Sequence, residues 1–255
     1  MAYFNVTTDG AVTVVTIENP PANAISTSVL QELAQVVDRV AKDASCKACV
    51  LTGAGAFFIA GADIKELSGM DLTKGQVTSQ NGQRILNTIE QMDKPWIAAI
   101  NGSCLGGGME LALACHMRIA AEDAKLGLPE IRLGIIPGFG GTQRLPRMTT
   151  LAKSYEMILT GDMILGTDAE RMGLINRAVP KDDVVRVAME LAKKITSFGG
   201  MAIKAAVQSI RRGRRSMDEG LMFEAERFGK LCATQDMHEG MNAFLEKRPA
   251  KFEDR

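Results

Sequence analysis

Leu105-Gly106-Gly107-Gly108-Met109-Glu110 sets three glycines ahead of a carboxylate, with one methionine between. Glycines let a backbone approach a ligand closely, and the first N–H groups of a helix starting there have no partner inside it. Those N–H groups and the helix dipole attract a negatively charged oxygen, such as a developing enolate. Glu110 falls in the first turn of that helix and projects near the same place. A tight turn with a carboxylate that only favours the dipole would use the same residues. Neither a Gly-x-Gly-x-x-Gly fingerprint nor a Walker lysine is present, because Leu111 takes the last glycine position.

Two further segments suit the same chemistry. In Ala60-Gly61-Ala62-Asp63-Ile64-Lys65-Glu66, small residues precede a polar helix start, so the Ala62 N–H can face a ligand oxygen. The plainer reading makes Asp63 an ordinary helix cap. In Leu128-Pro129-Glu130-Ile131, Glu130 lies among apolar neighbours. Desolvation there raises a carboxyl pKa, as a general acid near neutral pH requires. A carboxylate satisfied by loop hydrogen bonds is the alternative. A glycine-rich turn follows, Gly138-Phe139-Gly140-Gly141.

The elements that must carry these segments follow from periodicity. Tyr3 to Ile17 alternates around Asp9-Gly10, a β-hairpin signal. Glu18 to Ala24 is a loop, and Ser26 caps a helix to about Ala44 with Val29, Leu30, Leu33, Val36, Val37 and Val40 on one face. Short strands are expected at Cys49–Thr52, Ile97–Asn101, Arg118–Ala121, Leu126–Leu128 and Ile175–Val179. Gly102 to Gly108 reads as a turn into a helix starting near Gly108. Thr149–Thr160 and Asp168–Met172 are helical, and nearly everything after Asp182 is helical, with a break at Gly199-Gly200. Strands alternate with helices and a helical tail follows, which is an α/β pattern.

Composition narrows the class. The chain has 255 residues, 46% hydrophobic, enough for a sizeable core. Thirty basic residues balance thirty acidic ones, so no long-range field draws nucleic acid or an anionic membrane. The first residues lack a basic segment followed by an apolar run, so no secretory leader is expected. No stretch of about 18 apolar residues suggests a membrane span. Five cysteines, Cys46, Cys49, Cys104, Cys115 and Cys232, read as reduced thiols of a cytoplasmic protein. Cys46 and Cys49 have CxxC spacing, but only His116 and His238 could add imidazole ligands, and neither sits in a second cluster; no metal site is expected. The run Arg211-Arg212-Gly213-Arg214-Arg215 lacks interleaved aromatics and reads as a solvated helix face rather than an RNA contact.

Taken together, AGADIKE at 60–66, NGSCLGGGMELALAC at 101–115, LPEIRLGIIPGFGGTQRL at 128–145 and LTGDMILGTDAERMGLINRAVP at 159–180 resemble the crotonase (enoyl-CoA hydratase/isomerase) superfamily. The resemblance runs from Asn19 to Arg248. It implies a spiral of repeated ββα units over residues 1–195, with a C-terminal helical region at 196–255 that serves trimerisation in a homohexamer, a dimer of trimers. It implies an oxyanion hole at the Ala62 and Gly107 N–H groups and catalytic glutamates at Glu110 and Glu130, with Gly138 lining the water site. Glu110 would activate water and Glu130 would protonate the α-carbon. Coenzyme A would lie along Ala22, Ala60, Asp63 and Ile64, with Phe244 and Lys247 reaching the coenzyme A of an adjacent subunit. The implied reaction is hydration of a trans-2-enoyl-CoA in fatty-acid β-oxidation, with no cofactor beyond the coenzyme A of the substrate. Double-bond isomerisation, hydration of a specialised acyl-CoA, or a non-catalytic RNA-binding homologue are the alternatives. Substrate choice would lie in Lys65 to Lys94, around Met70, Thr78-Ser79-Gln80 and Met92.

Overall fold

The computed structural model describes residues 2–214 and 216–255; Met1 and Arg215, the last residue of the arginine run, lie outside the described residues. The chain opens with the hairpin β1 (Phe4–Asp9) and β2 (Val12–Ile17), paired from Phe4↔Ile17 to Asp9↔Val12 about the predicted turn. Helix α1 (Thr27–Lys42) starts where Ser26 accepts the Val29 N–H and buries the six apolar residues of its predicted face. Then come β3 (Ala48–Gly53), β4 (Phe57–Ile59), α2 (Ile64–Ser68) and α3 (Leu72–Glu90). The next unit is β5 (Trp96–Ile100), β6 (Ser103–Leu105) and α4 (Gly107–Ala114). A third begins with β7 (Met117–Ala121) and β8 (Lys125–Gly127), followed by a 3-10 turn at Pro129–Leu133, α5 (Gly141–Arg144) and α6 (Leu151–Thr160). The chain continues through β9 (Ile164–Leu165), α7 (Gly166–Arg171), β10 (Arg177–Val179), α8 (Val184–Thr196), α9 (Gly200–Gly213), α10 (Met217–Cys232) and α11 (Gln235–Leu245).

Each ββα unit gives one strand to each of two sheets. The large sheet runs β1-β2-β3-β5-β7-β10, and the small one β4-β6-β8-β9. Pairing is parallel from β2 through β10 and from β4 through β8. This is the expected spiral of ββα units. Strand β5, Trp96-Ile-Ala-Ala-Ile100, is buried along its whole length, as a parallel strand covered on both faces must be. The helix α8 packs on β2, β3, β5 and β7, and the break at Gly199-Gly200 separates it from the α9–α11 tail.

Three local expectations are corrected. Residues 102–108 are not one turn: β6 occupies Ser103–Leu105 and α4 begins at Gly107. Strands β4 and β9, of three and two residues, also went unassigned. Strands this short carry no readable alternation, and their neighbours in the sheet alone define them. The segment 65–94 holds a 19-residue helix, α3, whose buried positions are only Gly82, Ile85, Leu86 and Ile89. In the arginine run, Arg212 and Arg214 are exposed, as a solvated face requires, and the described arginines also make surface ion pairs. Arg211 bonds the Gln91 carbonyl and lies 3.6 Å from Asp93, Arg212 pairs with Glu219, and Arg214 lies 3.9 Å from Glu90.

Cys46 and Cys49 are both buried beside the start of β3, and burial pushes the Cys49 thiol well above its ordinary range. The small-residue reading of the CxxC spacing describes their setting. Among the described residues, no helix is long and apolar enough to cross a membrane.

Asn23 fixes the turn that aims β4 toward the site. It is 3% exposed with φ 55, and its Nδ2 donates to the carbonyls of Ala54 (3.0 Å), Phe57 (3.0 Å) and Phe58 (3.2 Å). Asn23→Ala strands buried acceptors and is expected to cost about 1–3 kcal/mol, read as a lower urea midpoint. An unchanged midpoint would mean that other contacts hold the turn.

Candidate active site

Strands β4, β6 and β8 lie side by side and run parallel, so the chain leaves all three at the same edge. Strand β4 runs out into Ala60-Gly61-Ala62, β6 into Gly106-Gly107, and β8 into Leu128-Pro129-Glu130. Ligand sites of parallel sheets form at these carboxyl ends. The spiral thereby gathers three segments that are far apart in sequence. They line one cleft of about 1110 Å³ that holds Ala62, Ile64, Gly107, Glu110, Glu130 and Gly138.

The two amides sit at one end of this cleft. Ile25 bridges Ala62 in parallel fashion, taking the Asp63 N–H (2.9 Å) and donating to Gly61 O (2.8 Å). That pattern turns the Ala62 N–H to the opposite side. Gly107 is the first residue of α4, whose first intrahelical bond runs from Glu110 N–H to Gly106 O, so the Gly107 N–H has no helical partner. Gly106 has φ 53, a left-handed conformation, and a Cβ there would stand 3.1 Å from Glu130 Oε1 and 3.7 Å from Gly61 Cα. Only glycine lets the three segments approach so closely.

The two carboxyls differ in their support. Glu110 is 1% exposed, and its Oε1 accepts the N–H groups of Phe139 and Gly141, both at 2.7 Å. Burial pushes its carboxyl up to about 7; Glu130 adds to the rise, while the two amides and Arg144 oppose it. Glu130 rides on the 3-10 turn, and its buried Oε2 has no hydrogen-bond partner among the described residues. Burial lifts Glu130 to about 7 as well. The site therefore offers an anchored carboxyl and an unanchored one, both poised near neutrality.

Gly138 stands beside Glu110, with its carbonyl held by Ser79 Oγ (2.6 Å) and Gln83 Nε2 (2.9 Å) from α3. The Phe139 ring fills the space between α3 and α4: a Cβ at Gly82 would collide with it, and one at Gly107 would lie 3.3 Å away.

The remaining expected contacts lie outside the lining of this cleft. Ala60 N–H bonds Ala22 O (3.0 Å), tying the loop to the end of β4. Asp63 caps α2, its Oδ1 accepting from the Lys65 (2.8 Å) and Glu66 (3.2 Å) amides, which is the plainer of its two readings. Phe244, 82% exposed, lies in the last turn of α11 and Lys247 just beyond it; neither lines the cleft of its own chain. Sequence reasoning placed Ser79 only in the segment expected to set substrate choice, and did not single out Gln83 or Arg144. The usable signal was Arg144 itself, a cation three residues after a glycine turn and directly before an apolar leucine.

Residues 7–255 match the family model described as enoyl-CoA hydratase/isomerase. The chain is 45% identical over 247 residues to a probable enoyl-CoA hydratase of Bacillus subtilis, covering 96% of each. It is 42% identical over 243 residues to a short-chain-enoyl-CoA hydratase of Clostridium acetobutylicum, covering 94% of this chain and 93% of that one. A crystal structure of an enoyl-CoA hydratase from Bacillus anthracis superposes with a TM-score of 0.95 at 38% identity, covering 99% of this chain and 100% of the other. With this similarity along nearly its whole length, the chain belongs to the enoyl-CoA hydratase/isomerase family.

Proposed function

We propose that the protein is an enoyl-CoA hydratase that adds water reversibly to a trans-2-enoyl-CoA, giving the 3-hydroxyacyl-CoA. The observation that carries this reading is the pair of carboxyls, buried Glu110 and half-buried Glu130, in one cleft with the Ala62 and Gly107 amides. The thioester oxygen sits between those two amides, which stabilise the charge it gains as the enolate forms; one such donor is typically worth about 10²–10³ in rate. Glu110 takes a proton from water, whose oxygen bonds to the β-carbon. The α-carbon then takes a proton from Glu130. The two glutamates thus exchange protonation states over a turnover, and solvent exchange restores them. Gly138 borders the water. Coenzyme A lies along Ala22, Ala60, Asp63 and Ile64.

Phe244 and Lys247 reach the coenzyme A of a neighbouring copy, and residues 196–255 form the trimerising part of a homohexamer. Exposed apolar side chains on α10 and α11, among them Met222, Phe228, Phe244 and Leu245, support that assembly. Sedimentation velocity should give a hexamer; a monomer would end this part of the reading.

Crotonyl-CoA is the first substrate to test, followed through loss of its enoyl-thioester absorbance. Wild type should consume it, and Glu110→Gln and Glu130→Gln should each lower kcat by about 10²–10⁴-fold. A wild-type protein inert on short and long enoyl-CoAs would overturn the reading.

The pH profile follows from the shared site. Below about 7 Glu110 becomes protonated and cannot act as base, and above about 7 Glu130 loses the proton it must donate. Activity should therefore be bell-shaped around neutrality. In Glu130→Gln the neighbouring carboxylate no longer disfavours the Glu110 anion, so the acid limb of the residual activity should move to lower pH. An acid limb that stays in place would show that the two carboxyls do not interact.

A further inference from the structure

Glu110 receives its amides from peptide units 138–139 and 140–141, and the peptide between them is held by a third group. Arg144 Nη1 donates to Phe139 O at 2.7 Å. The same guanidinium donates through Nη2 to Asn87 Oδ1 (2.6 Å) and through Nε to Glu90 Oε2 (2.9 Å), both in the last turns of α3. Arg144 is 4% exposed, so this is a buried cation with three acceptors set around its planar fork. Glycine is required beside it: Gly140 has φ 106, and a Cβ there would lie 2.5 Å from Nη1.

The contacts form one chain of support. Helix α3 holds Gly138 O through Ser79 and Gln83, and holds Arg144 through Asn87 and Glu90. Arg144 holds Phe139 O, and the loop presents two N–H groups to Glu110 Oε1. Glu110 Oε2 has no hydrogen bond among the described residues, so the clamp occupies one oxygen and leaves the other for the cleft. The charged groups acting on Glu110 are Glu130 and Arg144. Behind Arg144 stands Glu90, with Arg214 of the region after α9 at 3.9 Å.

We propose that Arg144 is a positioning residue for the hydration: by fixing the 139–140 peptide it aims two amides at Glu110 Oε1 and leaves Oε2 directed at the water. The inference rests on the hydratase reading, because the group being positioned is the base of that reaction. Arg144 touches no substrate. It acts through the loop and through its charge.

Three variants separate this role from mere folding. Arg144→Lys keeps the charge and loses the fork. It should lower kcat by about 10²-fold with little change in KM, leaving the acid limb of the pH profile in place. Arg144→Met loses the charge too, so its acid limb should also move to higher pH. Glu90→Gln keeps a hydrogen-bond acceptor and unmasks the arginine charge. It tests the idea even where Arg144→Met does not fold, and its acid limb should move the opposite way, to lower pH. In substrate-free protein, amide hydrogen exchange at Phe139 and Gly141 should be slow in wild type and faster in Arg144→Lys.

If kcat per folded molecule and the acid limb match wild type in Arg144→Lys and Glu90→Gln, the proposal is overturned, whatever happens to thermal stability. Slow wild-type exchange that quickens in Arg144→Lys, in a protein that hydrates no enoyl-CoA, would remove the hydratase reading and leave the clamp on Glu110 standing. Unchanged exchange in a working hydratase would remove the clamp alone.

Discussion

Two carboxyl groups drawn out of water into one cleft cannot both be ionised at low cost, and this constraint organises the site. Burial disfavours each anion, and the Glu130 carboxylate further disfavours that of Glu110. The pair is then stable near neutrality with one proton between its members, which is the state that water addition needs: a base beside an acid. The asymmetry in hydrogen bonding gives the two groups different characters. Glu110 is anchored by the amides of Phe139 and Gly141, whereas Glu130 carries an unspent Oε2. Anchoring favours the anion, and isolation favours the neutral acid.

The double-sheet spiral is the device that lets a stable scaffold carry so costly a pair. The large sheet is a rigid slab whose central strands β3, β5 and β7 are almost wholly buried. The small sheet has strands of only two or three residues, and their short runs bring three loops to one edge. Asn23 and Asn101 pin the turn between β3 and β4; Asn101 Nδ2 donates to Gly53 O (2.9 Å) and Gly55 O (3.1 Å). The position of Ala62 thus depends on buried amide side chains some distance from the chemistry. Helix α3 closes the cleft from the other side and holds the glycine loop through Ser79, Gln83, Asn87 and Glu90.

The arginine run is tied to the same wall. Arg211 and Arg214 meet the C-terminal end of α3 at Gln91, Asp93 and Glu90, and Glu90 is also the partner of Arg144. Read as a sequence, five residues with four arginines suggested a solvated face, because charge runs usually are. Asp93 and Glu90, the acidic partners of Arg211 and Arg214, lie more than a hundred residues earlier in the chain, and sequence spacing does not reveal such a pairing.

Much of the site was legible before any coordinates. The glycines before Glu110, the apolar setting of Glu130 and the small residues around Ala62 follow from local chemistry, and so do the hairpin, the cap at Ser26 and the buried face of α1. These are short-range properties, set by the residues and their immediate neighbours. The tertiary structure decided the rest. Strands β4, β6 and β9 exist only because neighbours pair with them, and α3 buries so few residues that its period is faint. Asp63 caps α2, as the plainer reading of its segment had it. The raised carboxyls, the free Oε2 of Glu130 and the buried Arg144 depend on which groups are excluded from water and which amides face them. Those are properties of three strand ends brought to one edge, and no single segment contains them.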